Sequence, residues 1–150
     1  MSKITRRTLL STLAMAPAAA AMAQTEAPPE AAVYIISPRD GQRVRNPIVV
    51  RFGLRNMGVT QASSAARNAG HHHLLIDVDD PVDPKEPLPS DKNHLHYGGG
   101  QTEARIELTP GRHTLQLVLG DADHRPFTPL LQSQKIRIFV GSPRAAKAKK

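Results

Sequence analysis

Apolar and polar positions alternate in short runs from residue 33 to residue 140, and the elements this predicts are strands. Val33-Tyr34-Ile35-Ile36 is β-branched and is stopped by Ser37-Pro38-Arg39-Asp40-Gly41, a turn-forming cluster. In Ile48–Leu54, Val50, Phe52 and Leu54 share one face while Arg51 takes the other. Leu74, Ile76 and Val78 are in phase over His72–Val78, and Ala104–Leu108 alternates the same way. Thr109-Pro110-Gly111 turns the chain into Arg112–Leu119, where His113, Leu115, Leu117 and Leu119 point in one direction. Lys135–Val140 is the last alternating run. The spacing of Pro and Gly leaves no helical period, and there is no internal repeat. About seven short antiparallel strands predict an all-β domain, an immunoglobulin- or fibronectin-like β-sandwich. His113, beside its Pro-Gly turn, takes the place of the corner tyrosine that bonds back to the backbone in such sandwiches.

The two ends of the chain do not share this pattern. Lys3, Arg6 and Arg7 precede an Ala-rich apolar stretch, Leu9–Ala23, and Ala21-Met22-Ala23 offers small residues for cleavage before Gln24. Residues 1–23 are therefore expected to be an export signal, cleaved after Ala23, and Thr5-Arg6-Arg7-Thr8-Leu9-Leu10 resembles a twin-arginine address. The stretch is shorter than the roughly 20 residues a span needs and Pro17 interrupts it, so no membrane span is expected to remain once the signal is removed. Residues 142–150 read as a basic disordered tail, which leaves 24–141 as one sandwich domain. The expected location is the periplasm.

Composition first suggests a nucleic-acid binder, and then excludes it. The 150 residues carry 20 Lys+Arg, 13 Asp+Glu and a formal net charge of +7. Three of those cations lie in the signal and four in the tail, leaving 13 against 13 acids in the domain, so no basic footprint is expected there. With no Cys and no Trp, disulfides, thiolate zinc sites and thiol catalysis are excluded. What distinguishes the domain is histidine: all seven fall between His71 and His124.

On a strand, residues i and i+2 share a face, so His71 with His73 and His94 with His96 each present two imidazoles in one direction. Neutral imidazoles in this arrangement suit a divalent ion such as copper, zinc or nickel. Sandwich topology sends the chain out and back between the two pairs, which brings both to one rim together with His124, while His113 starts its strand at the far end. The expected metal ligands are thus His71, His73, His94, His96 and His124, with a copper or zinc ion. His72 shares its face with Leu74 and Ile76 and is expected to be a buried, hydrogen-bonded ring; the same histidines could equally form a metal-free polar network tying loops together. Asp91, Glu103 and Met57 are further candidates that nothing selects. Two long loops, 55–70 and 79–93, flank the rim, the second with four Pro and five acids. Gly98-Gly99-Gly100 permits close backbone approach, positive φ or a plain turn.

Val33–Gly41, Gly70–Asp77, the His94–Glu103 run and Pro110–Leu117 together resemble an uncharacterised family of exported bacterial domains, domain of unknown function number 4399. The resemblance spans about residues 33–140. It implies a periplasmic setting and supplies no activity, substrate or catalytic residue.

The leading expectation is a periplasmic domain that binds, buffers or delivers copper or zinc, with affinity falling as pH drops through the histidine range. The alternative is a non-metal module whose histidine-rich rim binds an envelope protein or another ligand. Copper-based oxidoreductase chemistry is compatible with histidines on strands. Hydrolase chemistry is weaker, because no nucleophile elbow is present. On balance the reading leans away from an enzyme and names no catalytic residue.

Overall fold

β-Branched and alternating segments form nine strands among residues 24–142, the part of the chain that the computed structural model describes. The expected export signal (1–23) and tail residues 143–150 lie outside the described residues. The strands are β1 Ala32–Ser37, β2 Arg43–Val44, β3 Ile48–Arg55, β4 Gly58–Val59, β5 Ala69–Ile76, β6 His94–Tyr97, β7 Glu103–Ile106, β8 Gly111–Gly120 and β9 Ile136–Val140. β1, β3 and β7 make a three-stranded sheet. The larger sheet runs β2-β9-β8-β5-β4, and β6 pairs with the same edge of β5 farther along it. The fold is the expected all-β, immunoglobulin/fibronectin-like sandwich.

The core lies between the sheets and follows the period of two. Val50 and Phe52 of β3, Leu74 and Ile76 of β5, Leu115, Leu117 and Leu119 of β8, and Ile138 and Val140 of β9 form one buried cluster. Each such side chain contributes roughly 1.5–3 kcal/mol by leaving water. Sequence pattern placed these strands well but missed the two-residue β2 and β4, which are too short to alternate. β4 also means that the 55–70 segment is not wholly irregular: Gly58 and Val59 pair in parallel with Ala69 and Gly70. β5 starts earlier than the alternation implied and stops at Ile76, because Asp77 adopts a left-handed φ of 55°.

Residues 79–93 fold over the outer face of the large sheet. Leu88 packs there on Leu75 and Val118, with Val78, Val82 and Leu130 around them, as a second and smaller core. This explains why every residue of β5 from Gly70 to Ile76 is buried. One face meets the sandwich interior and the other meets the loop.

Candidate metal centre

β5 sorts its three histidines by parity. His72 faces inward with Leu74 and Ile76, and its ring lies 5.0 Å from that of Phe52. His71 and His73 face outward, and both are fully buried. β6 runs antiparallel to β5 and sets His96 opposite His73. β8 sets Gly120 opposite His71, and the turn after it carries His124 to the same place.

Four imidazoles therefore meet. Ring centroids of His71 lie 4.9 Å from those of His73, His96 and His124. His96 is 5.0 Å from His73 and 4.8 Å from His124. The Nε2 atoms of His71 and His73 are 3.0 Å apart, and ligand nitrogens of His71, His73 and His96 all lie within 4.8 Å of one another. Two nitrogens on one ion with bonds of about 2.0–2.1 Å stand about 2.9 Å apart at a right angle and about 3.3 Å apart in a tetrahedron. The His71–His73 spacing already has this scale, and His96 is the exposed member of the three.

The electrostatics favour uncharged rings. Burial, followed by the neighbouring His124 and His96, lowers the His71 pKa to about 4. Burial, then His71, His96 and His124, lowers that of His73 to about 3. His96 is also lowered, by burial and then by His124. Near neutral pH these rings keep their lone pairs. Yet the Nδ1 atoms of both His71 and His73 are buried without a hydrogen-bond partner. Buried polar groups of this kind are normally satisfied, and the Nε2 atom of the inward His72 is a third exception.

The surroundings hold the cluster open. A Cβ on Gly98 would fall 2.4 Å from Cε1 and 2.5 Å from Nε2 of His96, so glycine is needed for the ring to lie there. A Cβ on Gly120 would come within 3.1 Å of His73 Nε2. His124 sits in the left-handed region with φ 62°, unusual for a side chain of its size. Its turn is fastened by the buried Asp121 carboxylate, which accepts from the Asp123 and Arg125 amides at 3.0 and 2.9 Å and from the Thr25 hydroxyl at 2.6 Å. On the other side of the turn, the Leu88 amide donates to the His124 carbonyl at 2.7 Å.

Of the five histidines expected to form the site, the structure brings together His71, His73, His96 and His124. His94 stands apart. It pairs with Leu75, two residues farther along the ladder, and its Nδ1 bonds the Asp91 carboxylate at 2.9 and 3.0 Å. Sharing a face is thus not the same as sharing a site, since a two-residue step moves a side chain about 6.5 Å. The further candidates are engaged elsewhere: Asp91 with His94, Glu103 with Arg51 at 3.6 Å, and Met57 against the main core. His113 does bond back to the backbone, its Nε2 donating to the Thr109 carbonyl at 2.9 Å and its Nδ1 to Asp77 at 2.7 Å. Gly98, Gly120 and Asp121 were not singled out by sequence as parts of the site. Only Gly98 carried a signal, as the first of three glycines, and Gly100 beside it supplies the positive φ, 79°.

A family model described as "Domain of unknown function (DUF4399)" matches residues 50–141, which include every residue of the cluster. No curated protein matches the sequence. Among solved structures, the fibronectin(III)-like modules of Clostridium thermocellum CbhA are similar at 14% identity and a TM-score of 0.41, over 75% of this chain and 99% of that one.

Proposed function

The chain belongs to the DUF4399 family, and we propose that it is a metal-binding β-sandwich, using His71, His73, His96 and His124 to hold a copper or zinc ion. The observation that carries this reading is the meeting of four imidazoles on one sheet face, two of them fully buried with Nε2 atoms 3.0 Å apart. Collecting neutral imidazoles away from water is costly unless something occupies their lone pairs, and a borderline divalent ion does so. His71 and His73 form the fixed wall of the site, and the exposed His96 is the ligand through which an ion arrives and leaves. An exchangeable ligand of this kind suits buffering or delivery. The export signal read in residues 1–23 supports a periplasmic setting for this activity.

Isothermal calorimetry of the protein with Cu(II) and Zn(II) tests the proposal. We expect one ion per chain, an affinity reduced roughly 100-fold in His73→Ala, and wild-type affinity in His94→Ala. No uptake of either ion by the wild type overturns it.

A second reading rests on a different observation. Under the 79–93 loop lies a depression of about 210 Å³ floored by Leu75, Val78 and Leu88 and rimmed by Asp80, Asp83 and Glu86. A partner or ligand bound there would be captured from periplasmic extract in the presence of chelator and lost when the loop is shortened.

A further inference from the structure

The outer face of the large sheet changes character along its length. At the end away from the four-histidine cluster, cross-strand register sets Arg112 of β8 and Arg43 of β2 on either side of Phe139 in β9. Ile138 and Val140 are buried in the core, so Phe139 and Arg137, which alternate with them, point outward. Arg43, Arg112 and Arg137 are exposed, and the Arg43 guanidinium lies over the Phe139 ring at 4.5 Å from its centroid. Arg45 lines the same depression as Arg43 and Phe139.

Among the described residues, none of these four guanidinium groups has a carboxylate at ion-pair distance; the Arg–carboxylate pair that does occur, Arg51–Glu103, is on the small sheet. The nearby acids are largely spent. Asp77 holds His113 and the Thr114 amide, Asp40 accepts from the Arg137 amide, and Asp77 and Asp79 share a shallow depression with Arg112 and Arg137. Four of the domain's 13 acids, Asp80, Asp83, Glu86 and Asp91, lie instead farther along the 79–93 loop. The neutral total conceals a segregation.

The Gly141 amide donates to the Val44 carbonyl at 2.9 Å, fixing the end of β9 beside β2.

We propose that this arginine face docks the protein on an anionic phospholipid surface. Guanidinium groups bind phosphate oxygens through paired donors. Cations spread over three adjacent strands of a sheet face match a plane of phosphate headgroups. The inference does not depend on the metal reading.

The test is cosedimentation of residues 24–150, which contain every strand, with phosphatidylcholine vesicles that include or lack phosphatidylglycerol. Binding is expected only when phosphatidylglycerol is present. It should vanish in about 1 M salt, where the Debye length is about 3 Å. The triple variant Arg43→Gln, Arg112→Gln, Arg137→Gln, with residues 143–150 intact, should bind roughly tenfold or more weakly at an unchanged melting temperature. If the triple variant does not fold, Arg112→Gln and Arg137→Gln are read singly, each expected to weaken binding severalfold. Equal binding by these variants and wild type overturns the role of the sheet face. Absence of binding to phosphatidylglycerol vesicles, with retention on heparin or polyphosphate, overturns the membrane and assigns the face to a soluble polyanion.

Discussion

The inward and outward histidines of this sandwich differ in what they bond. His72 and His113 both take positions in phase with core leucines, and each reaches a backbone carbonyl: Gln101 at 3.2 Å for His72, Thr109 at 2.9 Å for His113. Outward-facing His71 and His73 bond one another. A histidine that satisfies a carbonyl is explained by the fold. A group of histidines that satisfy mainly themselves is not, and this contrast is what separates the candidate site from the rest of the histidines in the domain.

Three substitutions break or sharpen that contrast. The largest effect is expected from Gly98→Ala, which leaves every histidine in place but drives a methyl group into the His96 ring. Copper or zinc affinity should fall roughly tenfold, comparable to losing support around a ligand, while thermal stability of the metal-free protein changes little. Equal affinity of the Gly98→Ala variant and wild type would show that His96 is not a ligand.

A smaller effect, on stability alone, is expected on the inner face. The Nδ1–H of His72 donates to Gln101, which leaves its buried Nε2 as a bare acceptor with no partner. His72→Leu removes that unsatisfied atom, and water replaces the bond to the carbonyl of the exposed Gln101. The variant should be as stable as wild type or more stable by about 1 kcal/mol in urea unfolding, with metal affinity unchanged. Loss of metal binding would join His72 to the site and erase the distinction between the faces.

The smallest effect concerns pH. Burial pushes the His113 pKa down, but the Asp77 carboxylate and the Thr109 carbonyl outweigh it and leave the value above 6.5. Acceptors on both ring nitrogens require two N–H groups, which is the cation. A folded pKa above the unfolded one gives stability that is complete below about pH 6.5 and is lost as pH rises through the folded value. Asp77→Asn should lower stability by about 1 kcal/mol or less near pH 6, since Asp77 is 41% exposed. The deficit should shrink at higher pH, and a deficit constant with pH would show that His113 is not charged.

The strands and the parity of His71, His72 and His73 were legible because period-two alternation acts locally and strongly. The meeting of His124 with His71 was legible only through topology, as β8 had to return antiparallel to β5 for the two to coincide. His94 shows where such reasoning stops: face follows from parity, but distance along the ladder follows from register, which the loop between the strands determines. The arginine face was hidden for a related reason. Arg43, Arg112 and Arg137 are far apart in sequence, and a net charge of zero over the domain averages them against acids on another loop.

The bond from the Leu88 amide to the His124 carbonyl makes the long acidic loop and the fourth imidazole mechanically one unit. Whatever fixes His124 also restrains the loop, and by thermodynamic reciprocity an ordered loop would strengthen the hold on the proposed ion. The loop is in that sense a reporter. Resistance of the 79–93 segment to a protease should rise with metal occupancy, and trimming that segment should weaken metal binding.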